Sequence, residues 1–148
     1  MIRKNPTSNF VNSSFALILV NDYFLFQKRD NKNNIWYPNM LGLFGGKIEN
    51  KENEKDAIIR EIYEETNLKI KKFSLLNSQT IYFKNQKYTR YVFFTKLKIL
   101  PSRFYINEGK GYKLLKKEDL NKYRKKIVPN DYISISNFLR IKYGCYLC

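Results

Sequence analysis

Gly46-Lys47-Ile48-Glu49-Asn50-Lys51-Glu52-Asn53-Glu54-Lys55-Asp56-Ala57-Ile58-Ile59-Arg60-Glu61-Ile62-Tyr63-Glu64-Glu65-Thr66-Asn67-Leu68 is the stretch on which the fold turns. Asn53 is a good N-cap, able to accept from an orphan amide of a first turn, so a helix is predicted from Glu54 to about Thr66. At about 100° per residue, Glu61, Glu64 and Glu65 stand at i, i+3 and i+4 and share one edge of that helix. Ile58, Ile59 and Ile62 fill the adjacent arc, suited to packing under a sheet. Lys51 and Lys55 come before the cluster and no base lies within it, so the three carboxylates repel one another. Taken alone, such a triplet also fits a solvated acidic face, because Glu is common on exposed helices. Hard divalent cations would resolve the repulsion: Mg²⁺ and Mn²⁺ prefer oxygen ligands and tolerate several carboxylates around a phosphate.

The spacing extends upstream. From Gly46, five residues lead to Glu52, and seven more lead to Arg60-Glu61-Ile62-Tyr63-Glu64-Glu65-Thr66-Asn67-Leu68. This resembles the Nudix box, Gly-x5-Glu-x7-Arg-Glu-U-x-Glu-Glu-x-Gly-U with U a bulky aliphatic. Every defining position matches except Asn67, where the family has glycine. That position ends the helix, where a left-handed backbone is expected, and Asn is the next best residue after Gly there.

The resemblance implies an α/β/α sandwich around a mixed β-sheet, with the box forming a loop-helix-loop that holds divalent metal, Mg²⁺ or alternatively Mn²⁺. It also implies a reaction, in which water attacks a phosphorus of a nucleoside diphosphate linked to another group and splits the pyrophosphate bond. By the same resemblance Glu61, Glu64 and Glu65 are the metal-ligand glutamates, one of which can instead take the proton. Glu52 matches the loop glutamate, and Arg60 the arginine that orients such carboxylates by a bidentate pair. The backbone at Gly45 and Gly46 can approach a metal or phosphate because it has no Cβ. Glu65 is expected to be the most critical ligand and Glu61 the next. A metal lowers the pKa of bound water, so this chemistry requires no nucleophilic side chain.

The rest of the composition agrees. Histidine is absent, which excludes a Ser-His-Asp or Cys-His nucleophile and any His-ligated zinc or iron site. Cys145 and Cys148 are half of a tetrahedral zinc site without a second pair, and a bare, reduced tail in a cytoplasmic protein is the expected state. The apolar run Phe15 to Val20 is too short to span a bilayer or to serve as a signal core, so neither a membrane partner nor export is expected.

The charge is +15 over 148 residues, yet Glu49 to Glu65 holds seven acids and three bases. The other 131 residues therefore carry +19, with 25 bases and 6 acids. Such basicity would suit RNA. A/T-rich codons explain it equally well, because Lys, Asn, Ile, Tyr and Phe together make up half the chain.

At this length one domain with one core is expected over residues 1–148, with 1–12 and 144–148 as loose tails. Phe15 to Val20 and Tyr23 to Gln27 read as strands around a tight turn at Asn21-Asp22. A short apolar stretch from Met40 to Phe44 is expected to break at Gly45-Gly46. Further strands are predicted within Phe73 to Phe83, from Tyr88 to Leu97 and from Tyr112 to Leu115. A helical turn follows at Lys117 to Leu120, and a last helix from Asp131 to Tyr143. The whole is an α/β fold with strands on both sides of an early helix.

Outside the box the resemblance extends loosely, from Phe15 to Ile141, to MutT-type nucleoside triphosphate pyrophosphohydrolases. Gly46-Lys47-Ile48-Glu49 copies that type, and Arg29 ends the second strand where it has a basic pair, so Arg29 and Lys47 are candidate phosphate contacts. Glu108 falls in a loop where that type carries another catalytic, metal-facing glutamate. Phe83 sits where an aromatic can stack on a base, and Asn130 lies in a Val128-Pro129-Asn130 segment resembling one that supplies a base-reading amide. Leu43-Phe44-Gly45-Gly46 departs from the usual Phe-Pro-Gly-Gly of that type.

The expected substrate is thus a small nucleotide such as a nucleoside triphosphate, with a nucleotide-pool sanitising role in view. RNA 5′ ends, sugar nucleotides and dinucleoside polyphosphates are the alternatives within the family, and a basic RNA-binding module without catalysis is the alternative outside it. Oligomeric state is left open.

Overall fold

The computed structural model describes residues 11–83 and 85–144, apart from the side chain of Phe83. Cys145 and Cys148, and the N-terminal stretch up to residue 10, lie outside the described residues.

β1 (Ser13–Val20) and β2 (Tyr23–Lys28) form the expected antiparallel pair. Asn21 and Asp22 turn between them with φ of 46° and 68°, the positive pair that a tight hairpin of this twist requires. β3 (Leu41–Gly42), β4 (Phe44–Lys47) and α1 (Glu54–Thr66) follow, then β5 (Ser74–Phe83), β6 (Gln86–Leu97), β7 (Tyr112–Lys116) and α2 (Pro129–Tyr143). The strands make one sheet in the order β3-β2-β1-β6-β5, with β4 also pairing β1 and β7 pairing β2. β1 and β6 run parallel from Ser13 opposite Arg90 to Val20 opposite Leu97, while the remaining pairs are antiparallel. The sheet is therefore mixed, as expected.

The unbroken apolar run of β1 follows from cover on both faces. Ala16, Ile18 and Val20 pack with Ile58 and Ile62 of α1 on one face. Leu17 and Leu19 pack with Ile135, Phe138 and Leu139 of α2 on the other. Helix, sheet, helix is the resulting layer order, the α/β/α sandwich the box implies.

Three details differ from the sequence reading. Gly45-Gly46 does not end the strand but lies inside β4, opposite Phe15 and Ser14 of β1. A Cβ on Gly45 would stand 2.2 Å from the Ser14 carbonyl oxygen, and its φ is +147°, so the strand continues there because the residue is glycine. α2 starts at Pro129 rather than Asp131, because proline suits the first helical position and the Val128 amide is already bonded to the Leu41 carbonyl, 2.8 Å. Asn12, in the stretch expected to be loose, is tied down: its carbonyl accepts from Ile48 N and its Oδ1 from Thr89 N, both at 2.9 Å. No helix among the described residues is long and apolar enough to cross a membrane.

α1 is capped at both ends from its own sequence. Asn53 Oδ1 accepts from Asp56 N at 2.7 Å, and Asn67, at φ 62°, donates its amide to the Tyr63 carbonyl. Asn67 thus adopts the left-handed conformation for which the family uses glycine. Its Nδ2 also donates to the Arg103 carbonyl, 3.1 Å, which glycine could not do. Asn67→Ala is expected to cost about 1–2 kcal/mol, from the left-handed penalty and the lost bond, whereas Asn67→Gly should change stability by less than about 1 kcal/mol. Urea unfolding of the two variants checks this; equal losses would remove the left-handed cap as the cause.

Candidate active site

Arg60 immediately precedes Glu61, lies one turn before Glu64, and bonds to both. Its Nε and Nη2 donate to the two carboxylate oxygens of Glu52 at 2.8 and 2.9 Å, a forked pair. Its Nη1 donates to Glu61 Oε1 at 3.0 Å and Glu64 Oε2 at 3.1 Å, and Nη2 also reaches the Lys47 carbonyl at 2.9 Å. The Glu52 carboxylate bonds back to Glu49 N at 3.0 Å. One guanidinium thus joins the loop to the helix. It holds the Glu52 carboxyl below the usual carboxylate range, and Glu52 with Glu61 raises Arg60 further in turn.

Glu65 points the other way, into the protein. It is 3% exposed, and its Oε1 accepts from Gly45 N at 3.1 Å. Burial pushes its carboxyl up to about 9, with the charges of Glu108 and Glu61 adding to the effect. Glu61 is hydrogen-bonded to it and is also raised, by burial first, with Arg60 opposing. The Glu61 and Glu65 carboxyls, both raised beside a glycine strand, are the centre of the site. Gly46 makes room for them, since a Cβ there would lie 2.7 Å from Glu61 Oε1.

The end of α1 positions the fourth glutamate. The last carbonyls of a helix lack intrahelical partners, and here the loop before β7 supplies them. Asn107 N donates to the Glu65 carbonyl and Asn107 Nδ2 to the Glu64 carbonyl, both 2.8 Å, while Tyr105 N donates to the Thr66 carbonyl at 3.0 Å. Glu108 follows directly, and its carbonyl accepts from Gln27 Nε2 at 3.1 Å. Its charge is felt by Glu65, which places the exposed Glu108 carboxylate at the mouth of the buried pair.

The structure thus brings Glu52, Arg60, Glu61, Glu64, Glu65, Glu108, Gly45 and Gly46 into one cluster, with Lys47 exposed beside it. Arg29 and Asn130 belong to a second group. Arg29 Nε donates to the Trp36 carbonyl at 2.9 Å, and half-buried Asn130 lies in the first turn of α2. Phe83 ends β5 at the tip of the β5–β6 hairpin, and its side chain lies outside the described residues.

Sequence reasoning misses the polar core of that second group. Asp131 is 3% exposed; its Oδ2 accepts from Leu43 N at 2.9 Å and its Oδ1 pairs with Arg90. Arg90 stacks on Phe15, 4.5 Å from the ring centroid, and reaches Gln79 at 3.2 Å. Burial pushes the Asp131 carboxyl up, while Arg90 pulls it back. The available signal is a lone guanidinium in the aromatic strand Tyr88 to Leu97.

The donor set suits a hard divalent cation. It is all oxygen, burial raises two of its carboxyls, and the glycine cradle would be filled by any side chain. Among the described residues no three carboxylates already converge on one point: Arg60 draws Glu61 and Glu64 while Glu65 turns to Gly45. Glu61, Glu64, Glu65 and Glu108 are the carboxylates of the cluster that could hold such an ion.

A family model described as the NUDIX domain matches residues 11–138. No curated protein matches in sequence. Among solved structures, the MutT protein from Methanosarcina mazei Go1 is 20% identical, with a TM-score of 0.74 over 95% of this chain and 98% of that one. A C. elegans Ap4A hydrolase is 19% identical, with a TM-score of 0.66 over 91% of this chain and 99% of that one. A bifunctional NMN adenylyltransferase/ADP ribose pyrophosphatase from Francisella tularensis, complexed with AMP and Mn ion, is 22% identical. Its TM-score is 0.64, over 91% of this chain and 42% of that one. At these identities the likeness is one of fold.

The raised Glu65 carboxyl has a consequence for stability. Above its ordinary value of 4.5 the unfolded chain gives up a proton that the folded chain keeps up to about 9. Stability without divalent cations should therefore be greatest at low pH in this window and fall as pH rises through it. Glu65→Gln, a neutral isostere, should flatten that slope and stabilise the metal-free protein at pH 8. Urea midpoints from pH 5 to 9 measure it; an unchanged slope in the variant would assign the effect to another group.

Proposed function

The chain belongs to the Nudix hydrolase family, and on that premise we propose that it is a Mg²⁺-dependent pyrophosphohydrolase of a small nucleotide, with a nucleoside triphosphate as the leading substrate. The observation that carries the reading is the pairing of half-buried Glu61 with buried Glu65 at the Gly45-Gly46 strand, with Glu108 beside it. Members of the family generally use divalent metal ions, and Mn²⁺ is the alternative to Mg²⁺ here. Glu61, Glu64, Glu65, Glu108 and the Gly45 backbone would hold the ion. When bound, it neutralises phosphate oxygens and lowers the pKa of water.

The chain's own residues do the rest. Arg60 keeps Glu61 and Glu64 on one edge of α1 by fixing them against Glu52, so the carboxylates meet the phosphate chain in one arrangement. A glutamate of the cluster takes the proton of the attacking water. Lys47, exposed next to the cradle, and Arg29, at the end of β2, contact phosphate oxygens. Asn130 reads the base from the first turn of α2. No histidine or thiol is needed, in keeping with a chain that has no histidine.

The relatives' printed names range over MutT, an ADP ribose pyrophosphatase and an Ap4A hydrolase, so the fold alone does not select a substrate. A panel of normal and oxidised nucleoside triphosphates, sugar nucleotides and dinucleoside polyphosphates with Mg²⁺ or Mn²⁺, products identified, makes that selection.

On the best substrate Glu65→Gln should lower kcat by at least about 100-fold with circular dichroism unchanged. Wild-type turnover would refute the ligand assignment. Arg60→Lys keeps the charge but loses the fork, and should weaken Mg²⁺ activation by about 10- to 100-fold, read as a shift in the Mg²⁺ concentration for half-maximal rate. An unshifted midpoint would show that the fork does not orient the ligands.

A further inference from the structure

Gln27 is a buried amide that the proposed chemistry does not use. The residues before it in β2, Phe24, Leu25 and Phe26, are buried and apolar, whereas Gln27 is polar and only 6% exposed. A buried amide has to be hydrogen-bonded, and this one donates its Nε2 to the Glu108 carbonyl, 81 positions away, at 3.1 Å. Gly109 then folds onto the same side chain. With φ at +86°, a Cβ there would stand 3.1 Å from Gln27 Nε2 and 2.6 Å from the Lys28 carbonyl oxygen. Two backbone bonds complete the seat, Lys110 N to the Lys28 carbonyl at 2.8 Å and Lys28 N to the Gly111 carbonyl at 2.9 Å.

Asn107 holds the other side of Glu108. Its backbone amide and its Nδ2 donate to the Glu65 and Glu64 carbonyls, both at 2.8 Å, at the end of α1. Glu108 is thus fixed from the helix on one side and from β2 on the other, while its side chain stays exposed. Among the described residues Glu108 is in no ion pair. Its charge helps to raise the Glu65 carboxyl, which places two groups of like charge close together. Such repulsion would push an untethered loop outward. Hydrogen bonds from uncharged amides to the loop and the helix end oppose it without pairing with the carboxylate, as a lysine or arginine would.

We propose that Gln27 and Asn107 are positioning residues, which hold the Glu108 backbone so that its carboxylate stays beside Glu65 before any cation binds. The inference deepens the pyrophosphohydrolase reading and rests on it for the role of Glu108. Both side chains act through Glu108 rather than on the substrate. The clamp makes Glu108 part of a preformed donor set, so that binding an ion does not also have to order the loop. Groups that orient the ligands of a metal typically change its affinity by about 10- to 100-fold when they are lost.

The test uses Asn107→Ala, at an exposed residue where the fold is least disturbed, and Gln27→Met, which keeps the bulk and removes the donor. Each is made alone and together with Glu108→Gln. Mn²⁺ binding is measured by calorimetry, beside kcat and KM on the best substrate. Each single variant should bind Mn²⁺ about 10-fold more weakly and lose about as much in kcat, with KM at saturating Mn²⁺ within about twofold. In the Glu108→Gln background neither substitution should change Mn²⁺ affinity by more than about twofold, because the carboxylate it positions is gone. A merely structural role would give the same loss in both backgrounds and overturns the inference. Wild-type Mn²⁺ affinity in Asn107→Ala or in Glu108→Gln overturns it as well. If the Mn²⁺ measurements behave as expected but no nucleotide is hydrolysed, the positioning stands and the hydrolase reading falls. Absence of Mn²⁺ binding by the wild type overturns both.

Discussion

The Arg60 guanidinium is the constraint on which the site depends. Without it, Glu52, Glu61 and Glu64 would be three carboxylates in one small volume, each favoured by pointing away from the others. With it, the loop that follows β4 is fastened to the second turn of α1, and the edge of the helix keeps a fixed set of oxygen donors. The fork does not satisfy Glu65, which lies on the buried side and leans on a backbone amide. Charge is thus balanced at the outer edge of the cluster and left unbalanced at its centre.

The fold serves this arrangement through two ordinary needs of secondary structure. The end of α1 exposes carbonyls that must be bonded, and the loop that bonds them carries Glu108 to the Glu61–Glu65 pair. β4 must lie against β1 and beneath two carboxylates at once, which is why both residues at that point are glycine. The site is made where a helix end, a glycine strand and a returning loop meet.

Much of this is legible in the sequence because it is local. The box residues are in register through helical periodicity, Asn53 and Asn67 announce the ends of α1, and the run Phe15 to Val20 announces a strand covered on both faces. What is not legible is set by partners distant in sequence. Gly45-Gly46 reads as a break until β1 is placed beside it. Arg90 and Asp131, 41 positions apart, become a buried pair only when α2 crosses the sheet. Asn107 reads as an unremarked loop residue, yet it fixes the end of α1. The net charge misleads in the opposite direction: +15 is a property of the whole chain, whereas the carboxylates are a property of one place.

On the proposed reading the Glu61–Glu65 pair is a divalent-cation site kept partly protonated until the ion arrives. Calorimetric titration of the protein with Mn²⁺ near pH 7.5, in buffers of differing ionisation enthalpy, tests it directly by counting protons. Glu65, at about 9, holds its proton at that pH. Saturable binding is expected, with release of close to one proton per ion that is lost in Glu65→Gln. Binding without proton release, or undiminished binding by Glu65→Gln, would contradict it.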